Sequence, residues 1–222
     1  MRDELAAVEL PMLSLRATGD RLVRAESAPE AHRVIEVRRV QSAHLGLHVA
    51  PERCAELIRD LCGAESAPLF VQAWKLIEEV TDIFDRKGLG FAFTVPGMMM
   101  KHWEAHEPLP AVYGQIRQKY QRAFQLLDQV AALTRDPGRE LVHYMRARLE
   151  FGTCYIDAAT AVAAAGVARR RGRDKDEVGD LEKALTAMRK ALEAYAGVAA
   201  DNSDRGALAA LNKYCYRPIR AK

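Results

Sequence analysis

The stretch from Val178 to Tyr195 constrains this chain more than any other. Val178, Leu181, Leu185, Met188, Leu192 and Tyr195 follow one another at steps of three and four without a miss. An α-helix brings residues at that spacing onto one face, whereas a strand scatters them between two. A strict three-four seam belongs to helices that pack lengthwise against others. A chain built around it needs further helices to cover it, and the neighbouring sequence supplies them.

Between about Ala111 and Leu133, the residues Val112, Ile116, Tyr120, Phe124, Leu127, Val130 and Ala131 form a second apolar face. Asp136-Pro137 then reads as a helix start, with an N-cap acid before a proline at the first helical position. The helix it opens carries Leu141, Met145, Leu149, Gly152, Ile156, Ala159 and Ala163, and unbroken it spans about 45 Å. The seam helix is expected over about Asp176 to Val198. Asp201, Asn202 and Ser203 then offer a cap for a short last helix through about Tyr214. Short connections imply antiparallel neighbours, and no internal repeat points to a solenoid.

Upstream, Pro68 to Asp85 carries a wide apolar face of Leu69, Phe70, Ala73, Trp74, Leu76, Ile77, Val80, Ile83 and Phe84. Pro51 opens a short helix to about Leu61, with Gly63 as its stop. Residues 1–50 are less regular: an apolar run around Pro11, a turn at Thr18-Gly19-Asp20, and a helical stretch from Pro29 to Val40. The fold class is therefore all-α, an antiparallel helical bundle. We expect one mostly helical domain over 1–222, with an irregular or helical segment at 1–50. A short helix, an amphipathic helix and a loop follow at 51–110, and the long-helix bundle occupies 111–222.

The helical period disappears from Gly88 to Pro110. The run Gly88-Leu-Gly-Phe-Ala-Phe-Thr-Val-Pro-Gly-Met-Met-Met-Lys-His-Trp103, continuing through Glu104 to Pro110, mixes glycine and proline with aromatics and methionines. An apolar loop of this length is uncommon in a compact domain, and such loops often carry function.

Composition narrows the function classes. Apolar residues make up 49% and aromatics only 7%, which provides a core but favours helix over sheet. The 33 basic and 30 acidic residues leave a net charge of +3, a mixed surface rather than a nucleic-acid footprint. The densest basic run, Arg169, Arg170, Arg171, Arg173 and Lys175, falls between two helical patterns and reads as a solvated corner. Cys54, Cys62, Cys154 and Cys215 form no Cys-x-x-Cys pair, so neither a zinc site nor a small disulfide scaffold is indicated. No leader-like apolar segment follows Met1, and no apolar run approaches the roughly 20 residues of a membrane span. The default expectation is a cytoplasmic protein with neither membrane nor nucleic acid as partner.

Candidate chemistry is sparse. Glu140 and His143 have the Glu-x-x-His spacing of ferritin-like metal sites, and Glu78, Glu79, Asp82 and Glu150 are further carboxylates. Such sites use the pair twice, and here it occurs once in the bundle. His102, Glu104 and His106 cluster after the aromatic run as candidate ligands or an acid–base pair. Arg39 and His44 have a spacing found in some helical ribonucleases, a cheap match in a chain with six histidines. No phosphate loop, dinucleotide fingerprint or nucleophile elbow occurs, and no cofactor is expected. Trp74 belongs to the core face of its helix, whereas Trp103, beside charges, is a candidate for stacking on a flat ligand.

The runs Trp74-Lys-Leu-Ile-Glu-Glu-Val, Lys87-Gly-Leu-Gly-Phe-Ala-Phe-Thr-Val-Pro-Gly, Asp201-Asn-Ser-Asp-Arg-Gly and Tyr214-Cys-Tyr-Arg-Pro resemble the helical C-terminal regions of large bacterial multidomain glycoside hydrolases and related carbohydrate-active proteins. The resemblance covers about the last two-thirds of the chain. It implies a helical accessory region that packs against a catalytic barrel and lends a loop to its cleft. No catalytic carboxylate of such enzymes maps onto this sequence, and the strand–helix alternation of a barrel is missing. The leading expectation is a non-catalytic helical accessory or ligand-binding domain, with a saccharide or a partner domain facing Trp103, His102, Phe91 and Phe93. The alternatives are a scaffold that forms homo-oligomers through the 178–195 face, and a ferritin-like metal-binding enzyme using Glu140 and His143.

Overall fold

In a computed structural model of the chain, residues 51–87, 97–135 and 138–222 are described. They are helical with no strand among them. In chain order the helices are α1 (Pro51–Cys62), α2 (Ala67–Lys87), α3 (Met98–Glu104), α4 (Ala111–Leu133), α5 (Gly138–Arg170), α6 (Asp174–Ala196) and α7 (Asn202–Leu211). A π-helical turn, Asn212–Tyr216, then leads into α8 (Arg217–Arg220). The expected helix at Pro29 to Val40 and the Asp136-Pro137 start lie outside the described residues.

The chain divides into two compact units. Among the described residues, the first holds those up to Glu78 together with Gln125–Met145. The second holds Glu79–Phe124 and Arg146–Lys222. Helices α2, α4 and α5 each contribute residues to both.

In the first unit, α1 ends at Gly63, whose φ of +94° is the left-handed stop expected from the sequence. Ile58, Phe70, Leu127, Val130 and Leu141 are fully buried there, and Trp74 is buried with its ring edge-on to Phe70. Burial pushes the Cys62 thiol up to about 11, against a hydrogen bond with Thr134 that lowers it. This thiol is packing material rather than a nucleophile.

The second unit is built on antiparallel contacts. Phe151 meets Tyr195 at 5.5 Å between ring centroids, while Arg169 at the far end of α5 reaches Glu177 near the start of α6. Along α4 and α5, Arg117 grips Asp157, Tyr120 lies against Gly152, and Phe124 sits under Arg146. Between α5 and α6 the contact layer is small: Ala158, Ala159, Val162 and Ala165 face Leu181, Ala184, Met188 and Ala191. Thus the seam found in the sequence turns inward, with Leu181 and Met188 buried in this chain's own core and Val178 exposed.

α5 has 33 residues, about 50 Å of helix. It is long and apolar enough to cross a membrane, a property the sequence reading missed, yet half of its apolar stretch is buried within the protein.

Two further expectations change. Part of the Gly88–Pro110 loop is helical, because Met98–Glu104 contains neither glycine nor proline and buries Met99 and Met100. The last helix does not stop at Tyr214 but continues through Pro218 to Arg220. A proline inside a helix lacks an N–H and clashes with the carbonyl four residues back. The wider π turn immediately before it relaxes that constraint.

Candidate functional site

The sequence placed its ligand-facing residues at Phe91, Phe93, His102 and Trp103. Phe91 and Phe93 lie outside the described residues. His102 and Trp103 sit side by side on α3, in the second unit, and both are half-buried.

Helix α3 is only seven residues long and cannot hold itself together in water. Its seat is made by α5. At Gly166 an added Cβ would lie 2.2 Å from the Trp103 carbonyl oxygen, so the two backbones approach as closely as glycine allows. Met99 and Met100 enter the core layer between α5 and α6. His106, just past the helix, has a φ of +55°, a conformation that histidine adopts more readily than most residues. Its Nδ1 lies 2.9 Å from the Gly166 carbonyl oxygen. A carbonyl only accepts, so Nδ1 carries the proton in this contact.

Around Trp103 several polar groups converge. The indole Nε1–H donates to Glu177 Oε1 at 3.3 Å, and Glu177 is buried. The second Glu177 oxygen pairs with Arg169 Nη1 at 3.5 Å. Lys222 Nζ stands 4.0 Å above the indole centroid, a cation–π contact. The His106 ring is 5.8 Å from the indole, tilted to it. One aromatic ring is thus met by a carboxylate, an imidazole and an ammonium drawn from α6, the turn after α3 and the chain's last residue.

On the neighbouring face, His102 stands edge-on to Tyr113 at 6.4 Å, and burial lowers its pKa. Tyr155 donates its hydroxyl to Met98 Sδ at 3.8 Å, and burial pushes that phenol far above its usual range. Burial likewise raises the Cys215 thiol to about 11. In each of these groups burial disfavours the charged form.

No known family model, curated protein or solved structure matches the chain. The site must be read from its own chemistry.

The metal candidates fall elsewhere. Glu140 and His143 are both exposed, in the first unit. Among the described residues, no group of three or more His, Cys, Asp or Glu side chains is arranged to hold a metal ion. Sequence reasoning missed Glu177, Arg169, Gly166 and Lys222 as parts of the Trp103 site. Glu177 stands 74 positions from Trp103, and no local pattern links residues so far apart. The one available signal was Gly166, a helix-disfavouring residue inside an alanine-rich helical run.

Proposed function

We propose that this chain is a non-catalytic helical binding module that takes a saccharide at Trp103. The observation that carries this reading is the convergence of Glu177, His106 and Lys222 on one half-buried indole. Saccharide recognition calls for a flat apolar face to meet the C–H side of a ring, with a few fixed polar groups for its hydroxyls. Here the indole is that face, and the backbone contact at Gly166 holds it rigidly. The exposed Lys222 lies over the ring on a flexible stem and can swing aside for a ligand.

Intrinsic fluorescence tests the reading directly. Trp74 is the chain's other tryptophan and is buried, so Trp74→Phe leaves Trp103 as the reporter. Saturable fluorescence changes on adding oligosaccharides, matched by binding heats that Trp103→Ala abolishes, are the expected result. Binding heats that survive Trp103→Ala would move the site elsewhere.

Self-association through the 178–195 face draws less support from the structure. Leu181 and Met188 are buried in the second unit, and Leu185, Leu192 and Tyr195 pack against the same cluster. Val178 is left as the seam's exposed large apolar side chain.

A further inference from the structure

We infer that the saccharide taken at Trp103 is an acidic one, carrying uronate carboxylates, with Arg170 and Lys222 as its anion contacts. The inference rests on the saccharide reading and specifies its ligand class.

The geometry begins at Gly166, which meets the Trp103 backbone. Helix positions three and four residues on lie on the same face, one turn further along. In α5 those positions are Arg169 and Arg170. Both are therefore on the stripe of α5 that faces Trp103, at its exposed end. Lys222 adds a third cation, its Nζ 4.0 Å from the indole centroid.

The cations differ in how they are used. Glu177, the carboxylate that faces the indole, is already occupied by Arg169 and by the indole N–H. Arg170 is exposed and makes no ion pair among the described residues. Among the described residues, the edge of the site therefore presents one guanidinium group, that of Arg170, with no ion pair, on the stripe that meets Trp103. Arginine binds a carboxylate through two parallel N–H donors, which gives orientation as well as attraction. A uronate unit one ring along from a sugar stacked on Trp103 fits that arrangement. A nucleic acid fits it less well, because the surface as a whole is charge-balanced and no second aromatic group interleaves with the basic run.

The test is calorimetry on the full chain with tetragalacturonate, its fully methyl-esterified counterpart, inorganic sulfate and a single-stranded oligonucleotide. The acid and its ester share one sugar backbone and differ in charge. We expect the acid to bind roughly tenfold more tightly than the ester, with that advantage lost in Arg170→Ala and reduced by salt. Arg170 is exposed, so this variant folds. Equal binding of acid and ester, both sensitive to Trp103→Ala, would overturn the acidic assignment and leave the saccharide reading standing. Binding of neither would overturn the acidic assignment, and a Trp103 fluorescence that also fails to respond to neutral oligosaccharides would overturn the saccharide reading with it. Oligonucleotide or sulfate binding as tight as the acid, and indifferent to Trp103→Ala, would show a general anion surface instead.

Discussion

Replacing Gly166 with alanine should destabilise the second unit, although the same change elsewhere on a helix normally helps. An alanine Cβ at 166 would lie 2.2 Å from the Trp103 carbonyl oxygen, 2.8 Å from the carbonyl carbon and 2.9 Å from Cα. An ordinary contact begins near 3.4 Å. The obstructing atoms are main chain, so no rotamer change relieves the clash. Helix α3 must move outward, weakening the Trp103–Glu177 and His106–Gly166 hydrogen bonds. Overpacking of this kind costs about 1–3 kcal/mol, and each weakened hydrogen bond adds about 0.5–1.5 kcal/mol. Against this, alanine gains about 1 kcal/mol in helix propensity. The steric side wins, with a net loss of about 1–5 kcal/mol centred near 3, and a melting point lower by roughly 6–12 °C at that centre. The control is Gly179→Ala in α6, where a Cβ meets nothing within 4 Å. Propensity acts alone there, and the melting point should rise by roughly 1–4 °C. Circular-dichroism melts of both variants read the opposed signs. In a Trp74→Phe background, Gly166→Ala should also shift Trp103 emission to the red as α3 lifts. If Gly166→Ala stabilised the protein as much as Gly179→Ala, the close seat of α3 on α5 would be wrong, and the Trp103 site with it.

Two further perturbations probe the same unit. Asp201 caps α7 by accepting from the Asp204 N–H at 2.9 Å, and Asp204 returns the contact to the Asp201 N–H. Asp201→Ala should therefore cost about 1 kcal/mol, whereas Asn, which retains the acceptor, should cost far less; thermal melts of the two variants check this. His102 is buried enough that its charged form is disfavoured, so its folded pKa lies below the ordinary 6.5. Its contribution is complete above pH 6.5 and is lost as the pH falls through the folded value, because the unfolded chain binds the proton more readily. Melting points measured from neutral pH down to roughly 5 should therefore fall more steeply for the native chain than for His102→Gln. Equal slopes would show that His102 makes no such contribution.

The sequence alone was enough to read the helices. Step-three and step-four periodicity is written into neighbouring residues, and so are capping chemistry and left-handed stops. That is why α2, α4, α5 and α6, the Asp201 cap and the Gly63 stop were legible, as was the burial of Trp74. The all-α class followed from them. Periodicity shows that a face is apolar but not what covers it. The 178–195 seam reads equally well as an oligomer interface or an internal layer, and only the packing of α5's alanines against it shows where Leu181 and Met188 go. A seven-residue helix carries too few turns to leave a periodic signal, so α3 was hidden inside an apparent loop. Its stability comes almost wholly from what it docks against. The Trp103 site belongs to tertiary structure for the same reason. Glu177, Gly166, Arg169 and Lys222 come from distant parts of the chain, and no spacing rule connects them to Trp103. Whether a glycine in a helix is a defect or a seat depends on what stands opposite its missing side chain, and at positions 166 and 179 the same residue type has opposite meanings.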